Sequence, residues 1–144
     1  MKRLVRSVFF LSFAGMLIVA CNSNKASEET NEVGGKLPVF TLQEESTYDF
    51  GKIKAGEIVE KTFAFKNTGE SALVIGNISA SCGCTTPEWP KEPIEPGTES
   101  NILVRFNSTG KAGPQNKTIT ITANTEPSMI ELHLKGIVEN AEGK

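Results

Sequence analysis

The chain has 144 residues, with 15 Lys and Arg against 17 Asp and Glu, one His and three Cys. The net charge of −2 argues against binding to nucleic acid, which needs a basic face, so no nucleic-acid partner is expected. The length suits one domain preceded by a short leader.

The first 20 residues have the pattern of an export signal. Three basic residues, Lys2, Arg3 and Arg6, precede an apolar run from Val8 to Ala20. As a helix this run would be about 20 Å long, whereas the hydrocarbon core of a bilayer is about 30 Å thick. Residues 1–20 are therefore interpreted as a signal peptide and not as a membrane span. Their removal leaves 12 basic and 17 acidic groups, a net charge of −5.

The signal ends in Ile18-Val19-Ala20-Cys21, which resembles the lipobox of bacterial lipoproteins. The resemblance implies that Cys21 is acylated and becomes the mature N-terminus. Several acyl chains, each contributing about 0.8 kcal/mol per buried methylene, would hold the protein on a membrane. The expected location is the bacterial cell envelope, in the outer membrane, facing the periplasm or the exterior. The alternative is an ordinary signal peptide followed by an incidental cysteine.

Residues 21–35, CNSNKASEETNEVGG, have no apolar periodicity and predict a flexible tether. Residues 36–140 form the predicted domain, and residues 141–144 a tail. In the first half of the domain, Val39–Leu42 and Tyr48–Ile53 are predicted as opening strands. Two further strands are less regular in their alternation. Their apolar positions are Val59, Phe63 and Phe65, and Leu73, Ile75 and Ile78.

Cys82 and Cys84 stand one glycine apart in SASCGCTTPEWP. In a flat strand their Cβ atoms would be about 6 to 7 Å apart, whereas a disulfide needs about 3.5 to 4.5 Å, so a bond requires a bend at Gly83. Three interpretations stay open: a structural pair that shapes a loop, a thiol-disulfide site, or a metal site for Cu(I) or zinc. Further metal ligands of the histidine or methionine type are scarce, because the mature chain has one His, His133, and one Met, Met129. No metal, cofactor or catalytic residue is therefore assigned.

The segment after the cysteines, TTPEWPKEPIEPG, carries a proline at every third position. This spacing predicts a polyproline II segment along the rim of the domain, since proline excludes a central strand. Trp89, the single Trp, either anchors a partner or packs over the core. His133, the single His, is interpreted as a solvent-facing strand residue and not as a catalytic base.

The second half of the domain alternates clearly between apolar and polar residues. The inward sets are Ile102, Val104 and Phe106; Ile119, Ile121 and Ala123; and Ile130, Leu132 and Leu134. Turn residues separate the runs, and no helical period occurs between Leu37 and Val138. The sequence predicts an all-β domain, an immunoglobulin-like β-sandwich of seven to eight strands.

The succession FAFKNTGESALVI, SCGCTTP, IEPGTESNILVRFNSTGKAGPQNKTITITANT and LHLKGIV resembles the domain of unknown function 1573 family. It is also similar to the immunoglobulin-like modules of the Hydin and abnormal-spindle type. The resemblance implies the sandwich and no assigned enzyme activity. The expected function is therefore a lipid-anchored module that binds an unknown envelope protein or glycan through a sheet edge or the cysteine-bearing loop. The alternative is a periplasmic thiol-redox or copper-handling protein that uses Cys82 and Cys84.

Overall fold

The computed structural model describes residues 36–140. The predicted signal peptide, Cys21, the predicted tether and the predicted tail lie outside these residues. The described chain forms eight strands, and the predicted immunoglobulin-like β-sandwich is confirmed. The strands are β1 (Phe40–Leu42), β2 (Thr47–Lys54), β3 (Ile58–Asn67), β4 (Ile75–Ala80), β5 (Thr85–Glu88), β6 (Glu99–Asn107), β7 (Gly113–Ala123) and β8 (Met129–Glu139).

The strands form two four-stranded sheets. The front sheet has the order β1-β3-β6-β5, and the back sheet has the order β2-β8-β7-β4. Neighbours are antiparallel except β2 and β8, which are parallel. The first strand of the domain is thus divided between the sheets, with β1 on the front sheet and β2 on the back sheet. Across residues 36–140, no helix has the length and apolar character to cross a bilayer.

The core lies between the two sheets, where the alternating side chains of β3, β6, β7 and β8 meet. Phe63, Phe65 and Phe106 are its largest fully buried side chains. Because residues two apart on a strand point to the same side of a sheet, each strand supplies every second residue to this layer. The inward residues of β6 and β7 are those predicted from the sequence. On β8, Leu132 and Leu134 are buried as predicted, Ile130 is only partly buried, and Val138 is buried in addition.

An ion pair closes the sandwich where the chain crosses from β1 to β2. Lys61 takes an inward position on β3, and its ammonium pairs with Glu44. The same ammonium lies 5.2 Å from the ring centroid of Tyr48 and 5.4 Å from that of Phe63. Glu44 also accepts a hydrogen bond from the amide of Ala64 at 3.1 Å. The hydrogen bond from Lys61 is the main cause that lowers the pKa of Glu44.

The sandwich has two distinct ends. The described chain begins at the end where β1 starts and β3 finishes, since Phe40 pairs with Asn67; this is called the entry end. The opposite end carries the start of β3 and the finish of β6, since Ile58 pairs with Asn107; this is called the far end. The ten residues of β3 separate the two ends by about 30 Å at the rise of a β-strand.

The polyproline II prediction is wrong for the first part of the proline-rich segment. Thr85–Glu88 form β5, which pairs with β6 at the edge of the front sheet. An edge strand tolerates Pro87 because one side of the strand has no ladder to complete. Farther along, Ile94 forms a bridge with Leu73 and is buried in the core. This segment therefore completes the sandwich.

Candidate functional site

An open cavity of about 500 Å³ lies at the far end, beside the cysteine pair. Its volume is within the range of about 300 to 1,000 Å³ that is typical of small-ligand sites. The cavity lies on the outer side of the front sheet, between the turn before β5 and the turn after β6. Its lining residues are Ile58, Gly83, Cys84, Thr86, Arg105, Asn107, Thr109 and Lys111.

The turn before β5 forms one wall of the cavity. Cys82 and Cys84 are joined by a disulfide, with their Cα atoms 5.2 Å apart. The amide of Thr85 donates to the carbonyl of Cys82 at 3.2 Å and closes the turn. Gly83 makes this turn without a positive φ, and a Cβ at this position would meet no atom within 4 Å. The wall is therefore shaped by the disulfide and the turn, while the space at Gly83 stays open.

The turn after β6 forms the opposite wall, and the sequence Asn107-Ser108-Thr109-Gly110-Lys111 determines its shape. The Asn107 side chain accepts a hydrogen bond from the Thr109 amide at 2.9 Å. Lys111 donates its amide to the carbonyl of Ser108 at 3.0 Å. Gly110 has a φ of +70°, a left-handed conformation that glycine adopts without strain. These contacts hold Lys111 at the rim.

Ser108 fixes this turn to the rest of the far end. Its side chain is fully buried, and its hydroxyl accepts from the Gly56 amide at 3.0 Å and donates to the carbonyl of Glu57 at 2.7 Å. The two walls meet directly, because the Asn107 amide donates to the carbonyl of Cys84 at 2.9 Å. The buried Ser108 and the hydrogen bond between Asn107 and Cys84 thus fix the relative positions of the two turns that form the cavity walls.

Arg105 lies on the floor of the cavity between two carboxylates. It is opposite Glu60 on β3 and Thr86 on β5. Its Nε donates to Glu60 at 2.6 Å, and its Nη1 donates to Glu88. These carboxylates raise the pKa of Arg105 above its usual range, and the largest cause is the hydrogen bond that Arg105 donates to Glu60. The guanidinium is therefore permanently charged and held in one orientation.

The free edge of β5 is blocked against the addition of another strand. Successive residues of a strand direct their backbone groups to opposite sides. The carbonyl of Cys84 is directed toward β6, so the backbone of Thr85 and Pro87 is directed toward the free edge. Pro87 has no N–H group, and the N–H of Thr85 is already bonded within the turn. The sequence predicts binding through a sheet edge or through the cysteine-bearing loop. The edge of β5 is unsuited, the loop borders a cavity, and binding through the edge of β1, β2 or β4 stays a prediction.

Trp89 does not line the cavity. It packs partly buried against the core, and the ammonium of Lys91 lies 2.9 Å from the centroid of its ring. Its buried Nε1 has no hydrogen-bond partner among residues 36–140. The Lys91 side chain covers one face of the Trp89 ring. Contact of Trp89 with a partner stays a prediction.

The one histidine and the one aspartate of the chain lie far from the cavity lining. His133 lies on the outer face of the back sheet, 3.3 Å from the hydroxyl of Thr118. Asp49 accepts a hydrogen bond from the amide of Gly51 at 2.9 Å, as in an Asx turn. Within the described part of the chain, no three Cys, His, Asp or Glu side chains are grouped to hold a metal ion. The copper-handling alternative therefore finds no third ligand near the cysteine pair there.

Sequence reasoning found the cysteine pair but missed the cationic side of the cavity. The alternation of its strand indicates only that Arg105 faces outward, and Gly110 indicates only a turn around Lys111. Both are more than 20 residues from Cys84 along the chain. The pairing of β5 with β6 brings them together, and no local pattern indicates that register.

Residues 41–138 match the family described as "Protein of unknown function (DUF1573)". This confirms the resemblance inferred from the motifs. No curated protein matches the chain.

Solved structures similar to this chain share its fold at low sequence identity. A protein of unknown function from Porphyromonas gingivalis W83 has 15% identity and a TM-score of 0.59 over 72% of this chain, which spans only 47% of that protein. PapD-like domain 7 of human CEP192, an ASH domain, has 13% identity and a TM-score of 0.58, covering 72% of this chain and 87% of the domain. A family 123 glycoside hydrolase from Clostridium perfringens has 11% identity and a TM-score of 0.57, covering 72% of this chain and 27% of the enzyme. These likenesses establish the PapD-like, immunoglobulin-like sandwich and nothing about activity.

Proposed function

The chain belongs to the DUF1573 family, and from this premise we propose that it is a lipid-anchored module of the bacterial cell envelope that binds another envelope component, a protein or a glycan, and catalyses no reaction. The observation that carries the proposal is the cavity at the far end. It is concave, shaped by hydrogen-bonded turns and lined by groups suited to recognition.

The chemistry of the lining supports binding over catalysis. Within the described residues, the cavity lining includes no His, Asp or Glu side chain that would act as a general base. The sulfur of Cys84 is held in a disulfide and is not a free nucleophile. The groups that remain are hydroxyls, an amide, two cations and an apolar side chain, which orient a ligand without transforming it.

The position of the cavity supports a tethered module. The described chain begins at the entry end, about 30 Å from the far end by the length of β3. An acylated Cys21 followed by a flexible tether of roughly 20 Å root-mean-square reach would hold the domain near the membrane. A domain attached through its entry end presents the opposite end, with the cavity, to other components of the envelope.

A capture experiment with matched variants tests the binding site. Thr86→Trp places a large side chain in the cavity, whereas Thr122→Trp makes the same change at an exposed position on the back sheet. Envelope extract is passed over each purified protein, and the bound fraction is compared by mass spectrometry. We expect a component that the unaltered chain and Thr122→Trp retain and that Thr86→Trp loses. Retention of the same components by all three proteins would exclude the cavity as the binding site.

The anchor is tested separately by fractionation. Cys21→Ala removes the residue that would be acylated, so we expect the protein to move from the membrane fraction to the soluble fraction. Cys21→Ser is the matched control for a conservative loss of the thiol and should behave in the same way. Membrane association of both variants would rule out the lipid anchor and leave the cavity proposal intact.

A further inference from the structure

We propose that the far-end cavity recognises an anionic group, a carboxylate or a phosphate, carried next to a small apolar group of the ligand. This inference rests on the proposed function, because it names the chemistry that the binding site selects. Arg105 and Lys111 would be the ligands of the anion, and Ile58 with the disulfide would contact its apolar neighbour.

The charge of the lining is opposite to the charge of the chain. The whole chain has a net charge of −2, yet the charged side chains that line the cavity are both cations, Arg105 and Lys111. The remaining polar lining groups are the hydroxyls of Thr86 and Thr109 and the amide of Asn107. Hydroxyl and amide N–H groups donate hydrogen bonds to an oxyanion as readily as to a neutral ligand. The cavity therefore presents donors and positive charge to its occupant.

Arg105 is prepared for an anion by the two carboxylates that hold it. Glu60 and Glu88 engage two of the five N–H groups of the guanidinium. Among residues 36–140, no other acceptor bonds to this guanidinium, so the other three N–H groups remain for a ligand. Because the side chain is already held in place, little rotamer entropy is lost when a ligand binds.

The same two carboxylates balance the charge of Arg105, so the net attraction depends on Lys111. Within the described chain Lys111 forms no ion pair. Its backbone is fixed in the turn by the bond to Ser108, and its side chain lines the rim of the cavity. Lys111 thus contributes an unbalanced positive charge, and Arg105 contributes directional hydrogen bonds.

The apolar part of the cavity explains why the anion must have an apolar neighbour. Ile58 is 61% exposed, although it stands on a strand in the middle of the front sheet. It lines the cavity together with the half-buried Cys84. A ligand that covers Ile58 while its anion meets Lys111 removes apolar surface from water. A free inorganic anion would make only the second contact.

Nuclear magnetic resonance titration tests the inference. The isotopically labelled Cys21→Ala chain is titrated with N-acetyl-alanine, methyl phosphate and the neutral N-acetyl-alanine amide. We expect one or both anions to shift amide signals of residues 83–86 and 105–111, and the neutral amide to leave them unchanged. The arm with the higher affinity identifies carboxylate or phosphate as the group selected.

Matched charge variants complete the test. Lys111→Gln should weaken binding of the anion by about tenfold, the effect of losing one charge-assisted hydrogen bond. Lys135→Gln removes an exposed charge from the back sheet and should change the affinity by less than twofold. Equal binding of the neutral amide, an unchanged affinity in Lys111→Gln, or no shift with either anion would overturn the anion assignment. Equal binding of the neutral amide would still place a ligand in the cavity, whereas only the capture experiment with Thr86→Trp tests the proposed function itself.

Discussion

Asn67 is predicted to be the polar residue on which the entry end depends most. Its side chain is fully buried at the end of β3. Its oxygen accepts hydrogen bonds from the amides of Val39 at 3.3 Å and Gly69 at 3.0 Å. Its nitrogen donates to the carbonyls of Ser71 and Ile94, both at 2.8 Å. One amide therefore satisfies backbone groups from three separate segments of the chain.

Asn67→Ala removes all four hydrogen bonds of this fully buried side chain. At about 1 kcal/mol for each bond, the free energy of unfolding should fall by about 4 kcal/mol. For a domain of about 100 residues, 1 kcal/mol corresponds to roughly 4 to 8 °C, so the Tm should fall by about 15 to 30 °C. The matched control is Asn101→Ala, at an exposed position on β6, which should change the stability by less than about 0.5 kcal/mol.

Urea unfolding followed by tryptophan fluorescence measures both variants, with Trp89 as the single reporter. A loss below about 1 kcal/mol for Asn67→Ala would mean that water or local rearrangement replaces its bonds. The same result would refute the reasoning that this side chain holds the three segments together.

Three further predictions concern other contacts. Replacing Cys82 and Cys84 together by Ser should leave the fold intact and cost about 1.5 kcal/mol or less, because a three-residue loop removes little unfolded-state entropy; a collapse of the fold in urea unfolding would contradict this. Ser108→Ala should cost about 2 kcal/mol in the same assay, since it removes the hydrogen bonds of a fully buried hydroxyl to the Gly56 amide and to the carbonyls of Lys54 and Glu57, and no loss would show that the buried hydroxyl is dispensable. The pKa of Glu44 is lowered in the folded state by Lys61, so its contribution is present above the ordinary pKa of Glu and is lost as pH falls through the lower, folded value. The stability difference between the unaltered chain and Glu44→Gln should therefore close on acidification, and a constant difference would refute the ion pair as its source.

The sequence predicts most of the sandwich because burial of one strand face imposes a period of two. Ile102, Val104 and Phe106 alternate with more exposed residues, and all three are fully buried on β6. Where a strand has little apolar character the signal disappears. Thr85–Glu88 is short, polar and contains Pro87, and it becomes a strand only because β6 offers an edge to pair with.

The candidate site could be predicted only in part. The close spacing of Cys82 and Cys84 marked a local constraint that any fold must accommodate. Lys111 joins them through the pairing of β5 with β6, a tertiary arrangement that leaves no periodic trace in the sequence. The sequence also does not indicate that Asn67 and Ser108 are buried. A polar residue near a turn has the same sequence pattern whether its side chain is exposed to water or hydrogen-bonded to backbone groups.

Site-specific photocross-linking in intact envelopes tests the central claim, binding through the far-end cavity, most directly. A photoreactive amino acid replaces either Thr109, at the rim of the cavity, or Thr98, an exposed threonine in the turn that contacts Asn67 at the entry end. We expect a discrete cross-linked product at Thr109 that disappears when Thr86→Trp is added, and no such product at Thr98. A product at Thr98 alone, or one at Thr109 that persists with Thr86→Trp, would contradict binding through the cavity.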